Sequence, residues 1–96
     1  MKLAYVNELP QKDQLAEFIQ IYTNECIKFG IQTTSLHIQS PQCVISVYDD
    51  NVLVGIGCMD DVMHVHVRPA YRHRQIETTV HKLLQAEFKS LHALAK

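Results

Sequence analysis

No apolar run in this chain extends beyond a few residues, far short of the ~20 that carry a helix across a bilayer. Neither sign of charge is in excess, with nine Lys and Arg against ten Asp and Glu. No global field therefore recommends nucleic acid or an anionic membrane surface as a partner. The first residues, Met1 to Glu8, turn polar too early to hold the ~7–15-residue apolar stretch of a secretory signal. Cysteine is sparse and odd in number, at Cys26, Cys43 and Cys58, with no Cys-x-x-Cys pair. That argues against a disulfide scaffold and for small apolar thiols in a reducing, cytoplasmic compartment. Repeats, low-complexity tracts and Gly/Ser linkers are absent, so the 96 residues, 47% hydrophobic and 20% charged, are expected to form one domain, 1–96, with a core of modest size.

Histidine is present in unusual number. His37, His64, His66, His73, His81 and His92 would move the formal charge from −1 to +5 if all were protonated, so the net charge depends steeply on pH between about 5 and 7. The few breakers, glycine at 30, 55 and 57 and proline at 10, 41 and 69, divide the chain into segments. Lys2 to Val6 alternates polar and apolar residues and predicts a short strand. After Pro10, Leu15, Phe18, Ile19, Tyr22, Cys26 and Phe29 recur at helical spacing, predicting a helix from Gln11 to Phe29 with Gly30 as its left-handed cap. The mixed stretch from Ile31 to Pro41 has room for a short second helix. Two β-branched runs, Cys43 to Tyr48 and Val52 to Met59, flank Asp49-Asp50-Asn51 and predict a hairpin. Val62 to Val67 reads as a further strand ended by Arg68-Pro69. In the last segment Ile76, Val80, Leu83, Leu84, Phe88, Leu91 and Leu94 form an apolar helical stripe, with Glu87 inside it, either at an edge or facing a partner. The expected fold class is α+β, a mostly antiparallel sheet of about four strands with helices packed on it.

The stretch Val67-Arg68-Pro69-Ala70-Tyr71-Arg72, running through His73-Arg74-Gln75-Ile76 to Leu83-Leu84, resembles the signature of the GNAT (GCN5-related N-acetyltransferase) superfamily. There the fourth strand ends in Val-x-Pro-x-Tyr-Arg and enters a pyrophosphate-binding loop and helix. The upstream order is similar too, including Val54-Gly55 inside the second strand of the hairpin. The resemblance implies a GNAT-like fold, acetyl-CoA as cofactor and transfer of an acetyl group to the amine of a small molecule or peptide, by direct attack and without a covalent nucleophile. It implies that the phosphates meet Arg72, His73, Arg74, Gln75, Ile76, Glu77 and Thr78, and that strand groups around His66, Val67 and Arg68 meet the pantetheine. The family's loop reads Arg/Gln-x-x-Gly-x-Gly/Ala. Arg72 fits it, but Gln75 and Glu77 replace both small residues, where close approach of backbone N–H groups to phosphate matters. Family members also continue into further strands and a helix after this point. A chain lacking them is expected to leave strand 62–67 as a bare edge, and pairing there as a homodimer is the expected remedy.

The residues taken singly leave alternatives open. Arg72, His73 and Arg74 at a helix start suit an anion, or form a solvated basic turn. His64 and His66 share one face of their strand and are the candidate catalytic bases; the alternatives are half-buried structural histidines or, with Cys58 or His37, a metal site, although no metal-binding motif is present. His81 and His92 are expected in solvent, Tyr5, Tyr22 and Phe18 in or near the core, and Cys43 and Cys58 as inert thiols. Tyr48 and Tyr71 are expected to flank the cleft. Three readings follow: an acetyltransferase, a non-catalytic module that kept the fold and lost the cofactor, and a histidine-based pH or metal sensor.

Overall fold

The computed structural model describes residues 2–30, 43–59 and 62–94, the side chains of 73, 74 and 91–94 excepted. Strand β1 (Leu3–Val6) is followed by helix α1 (Lys12–Lys28), strands β2 (Cys43–Asp49), β3 (Val52–Met59) and β4 (Met63–Val67), a 3-10 turn (Pro69–Arg74) and helix α2 (Ile76–Leu94). The strands form one sheet in the order β1-β2-β3-β4, every neighbour antiparallel. This is the α+β architecture expected from the hydrophobic periods. The expected second helix in 31–41, the Asp60-Asp61 punctuation and His37 lie outside the described residues.

Alternation along the sheet sends side chains to two cores. Cys43, Ile45, Val47, Val54 and Val67 pack with Ile76, Val80 and Leu84 of α2, with Leu3, Tyr5, Val65 and Phe88 around them. On the opposite face Leu53 and Ile56 pack with Phe18 of α1, flanked by Leu15, Ile19, Tyr22, Val44, Tyr48 and Cys58. Phe18 stacks on Tyr22 with ring centroids 5.5 Å apart, the i, i+4 neighbour that helical geometry supplies. The helix ends where Gly30 takes φ 69°, its N–H donating to Ile27 O and that of Phe29 to Glu25 O, as a left-handed C-terminal cap should. Ser46, the one polar side chain in the described core, satisfies its hydroxyl by donating to Glu8 O at 2.6 Å.

Two local devices shape the sheet. The hairpin between β2 and β3 turns on Asp50 (φ 50°) and Asn51 (φ 71°), the pair of left-handed residues a tight two-residue turn demands and Asp and Asn tolerate. Beyond it Val47 pairs with Gly55 but Tyr48 with Leu53, so Val54 is the extra residue of a β-bulge and joins the α2-side core. At Gly57 a Cβ would collide with Val80 Cγ1 and come within 2.9 Å of Leu84 Cδ1. Helix α2 therefore sits directly on the backbone of β3.

Glu87 resolves into the second of its two expected roles. With its amide turned so that the nitrogen faces acceptors, Asn7 donates to Val44 O (2.8 Å) and to both carboxylate oxygens of Glu87 (3.1 and 2.5 Å). The acid in the apolar stripe thus ties α2 to the chain leaving β1.

Candidate functional site

The region singled out by the sequence lies where β4 passes through the 3-10 turn into α2. Register places His64 opposite Cys58 and His66 opposite Ile56, so both histidines project from the α1 face, as period two requires. They differ in environment. His64 is exposed, whereas His66 is half-buried beneath Tyr22, whose hydroxyl lies 3.4 Å from His66 Nδ1 and whose ring meets the imidazole edge-on at 5.8 Å and 82°. Burial, and secondarily the neighbouring His64, hold the His66 pKa below the ordinary histidine value, since both oppose a second positive charge.

That shift has a measurable consequence. Because His66 takes up its proton less readily folded than unfolded, its contribution to stability is present above about pH 6.5 and is lost as pH falls from there through its folded pKa. Chemical denaturation across pH 5–8 should show stability falling over this window. His66→Gln should flatten the slope, and His64→Ala should reduce it partially, whereas an unchanged slope in His66→Gln would assign the titration elsewhere.

Arg68 turns inward. Its guanidinium grips Glu25 of α1 with two bonds, Nε to Oε1 at 2.9 Å and Nη2 to Oε2 at 3.2 Å, a fork that raises its pKa further. It also lies over the Tyr71 ring, 5.3 Å from the centroid, while the Tyr71 hydroxyl donates to Asp49 Oδ2 at 2.6 Å. The Arg68 N–H donates to Val54 O and its carbonyl accepts from Tyr71 N–H. Arg68 is thus engaged at side chain and main chain, and its position in the signature has a structural use, fastening the β4 corner to α1 and to the end of β2. Val67 is buried against the α2 core opposite Gly55.

The corner then exposes Arg72 and reaches Gln75, which takes φ 56° and ψ 25°. A left-handed residue thus stands at the position where the family pattern carries glycine, at a cost on the order of 1 kcal/mol for a residue with a Cβ. Helix α2 starts at once. Ile76 is 1% exposed and its side chain anchors the corner in the core, leaving its N–H, with those of Glu77 and Thr78, in the first helical turn, where amides have no intrahelical acceptor. Thr79 bonds back, N–H and hydroxyl both donating to Gln75 O at 3.2 and 3.1 Å. Glu77 and Thr78 are exposed, and Glu77 favours the helix start electrostatically. The side chains of His73 and Arg74 lie outside the described residues.

Other expectations sort differently. Tyr48 and Tyr71 do not flank one cleft: Tyr71 packs on the α2-side core and Tyr48 on the α1-side core. Tyr48 instead lines an open groove of about 470 Å³ with Lys2, Ala4, Val6, Gln14, Asp50 and Asn51, at the β1 end of the sheet and away from β4. Cys43 and Cys26 are buried, and burial pushes the Cys58 thiol up to about 11, which makes it a poor nucleophile. His81 is exposed. Among the described residues, no three His, Cys, Asp or Glu side chains of one chain gather closely enough to hold a metal ion, and no helix is long and apolar enough to cross a membrane.

Tyr22, Glu25 and Asp49 are site neighbours that sequence reasoning missed. The signal for Glu25 was its place beside Cys26 on the apolar stripe of α1, where a carboxylate needs a partner. Tyr22 became legible only once the crossing of α1 over the sheet was known, and Asp49 only once the end of β2 was seen to meet the 3-10 turn. Comparison with family models, with curated proteins and with solved structures gave no match.

Proposed function

We propose that this protein is a GNAT-type, acetyl-CoA-dependent N-acetyltransferase-like protein that acts on an amine. The observation that carries the reading is the β4-to-α2 corner, in which a strand feeds a left-handed residue at 75 and then the first turn of a helix, beside exposed Arg72. Main-chain amides converging at a helix N-terminus suit a diphosphate, and the resemblance of Val67 to Arg72 to the family signature supplies the cofactor. Arg72 and the amides of residues 76–78 would hold the phosphates, and the outward groups of β4 near Val67 would meet the pantetheine. Acetyl-CoA supplies the activated thioester. His66 is the base of choice: in the tautomer whose Nδ1–H donates to Tyr22, Nε2 is the free acceptor for the proton of an attacking amine, and the depressed pKa keeps it neutral near pH 7.

One observation favours a second reading, a non-catalytic module that kept the fold. The Glu77 carboxylate stands exposed in the same first helical turn, where it would repel a diphosphate. A thermal-shift titration with CoA and acetyl-CoA separates the two. Saturable binding at about 100 times Kd adds about 2.7 kcal/mol, several degrees of Tm for a domain of this size. Such a shift is the expected result; a Tm unmoved by millimolar cofactor would leave the module reading in its place.

A further inference from the structure

The β4 strand pairs with β3 on one side and with no described strand on the other. The bond from Arg68 N–H to Val54 O sets the phase of its ladder. Inward-bonding positions alternate, so His66 and His64 bond toward Ile56 and Cys58, and Met63, Val65 and Val67 turn their N–H and C=O groups outward. Among the described residues the strand itself carries none of the sequence guards against pairing. Residues 63–67 include no lysine, no proline and no acid, and the register with β3 runs without a bulge from Met63 to Val67. The nearest charge, on Arg68, is already held by Glu25. Such an edge offers a foreign partner no charge to read, but it is complementary to itself: a two-fold axis at Val65 pairs Met63 with the partner's Val67 on the apolar face, and His64 with the partner's His66 on the other.

We propose that two copies pair antiparallel along this edge, about a two-fold axis at Val65, and that His64 of each chain and the partner's His66 together form a site for one divalent transition-metal ion such as zinc. The His64 pairing falls at a non-hydrogen-bonded position, where facing Cβ atoms lie about 4.5–5.5 Å apart. Along each strand the two histidines are about 6.6 Å apart, so four imidazoles surround the axis. Zinc takes four ligands at about 2.0–2.1 Å from nitrogen. One chain offers two, so the site is incomplete without the partner. Tyr22 at Nδ1 of His66 leaves Nε2 for the metal and fixes the ring, as groups behind metal-bound histidines do. The inference does not rest on the acetyl-CoA reading. It draws on the same outward groups of Val67, so pairing and pantetheine would compete.

The test is the solution mass of the full chain by light scattering, with zinc alone as probe and no cofactor present. The expected result is a doubling from 11.0 kDa on adding zinc, reversed by a chelator, with calorimetry giving one zinc per two chains. His64→Ala, at an exposed position, should abolish the doubling. So should Val65→Pro, which removes an outward N–H and no bond to β3, its fold checked by circular dichroism. A single-chain mass in excess zinc would overturn the proposal. So would zinc-driven doubling that survives either variant.

Discussion

Replacing Gly57 with valine is expected to cost about 3 kcal/mol or more, a fall in Tm of roughly 15 °C for a chain of this length. The reason is the seat of α2. A Cβ at 57 runs into Val80 Cγ1 and Leu84 Cδ1, and Val80 and Leu84 are both fully buried. Leu84 has a second rotatable bond with which to retreat, but Val80 is branched at Cβ and stiff at χ1. Alanine at 57 should already cost about 1–3 kcal/mol by overpacking, out of a total stability of about 5–15 kcal/mol for a domain of this kind. Combining Gly57→Ala with Val80→Ala should recover part of that loss, the non-additivity expected of groups in contact. Denaturation midpoints for the four proteins of the cycle decide the matter. If Gly57→Ala lies within about 0.5 kcal/mol of the parent, α2 does not rest on β3 as described.

The second large effect concerns the corner at Gln75. The double substitution Gln75→Gly, Glu77→Ala, which restores the small residues of the family pattern, is expected to tighten CoA binding by about tenfold or more. Removing one carboxylate from beside a diphosphate is worth on the order of 1–2 kcal/mol at a partly exposed site. Glycine at 75 accepts φ 56° without a Cβ and lets the backbone approach the phosphate. Stability should change little, because relief at 75 is offset by the greater freedom of glycine in the unfolded chain and by loss of a favourable charge at the start of α2. Calorimetric titration of parent and variant with CoA is the measurement. Equal affinity in the two would mean that phosphate does not meet this corner.

The helices were legible from their hydrophobic period and the strands from their β-branched runs, although Phe29 and Leu83, counted in the helical stripes, are exposed. Leu15, Phe18, Ile19 and Tyr22 on α1, and Ile76, Val80 and Leu84 on α2, all reach the cores their spacing implies. The hairpin was legible from Asp50-Asn51, residues that take left-handed geometry readily. The bulge at Val54 was not, since an extra residue in a β-branched run leaves the composition unchanged and only shifts the pairing. Nor was the left-handed residue at 75, where the usual marker, glycine, is absent. His64 and His66 were correctly placed on one face, but Tyr22 at His66 depends on the angle at which α1 crosses the sheet, which periodicity does not encode. Arg68 shows the limit in another way: a motif position marked it for a ligand, while the carboxylate that holds it lies 43 residues away on another element.

The groove beside β1 has a consequence for how the molecule breathes. Leu3 and Tyr5 pack toward the α2-side core, but Ala4 and Val6 line the open groove opposite Gln14. The four residues of β1 are thus held by a ladder to β2 on one side and by a core on one face only. Strands secured in this way belong to the low end of the range of local opening free energies. The sheet is therefore expected to fray from β1 while β2, β3 and α2, which share Gly57 and the Val54 bulge, persist as the last cooperative unit to let go.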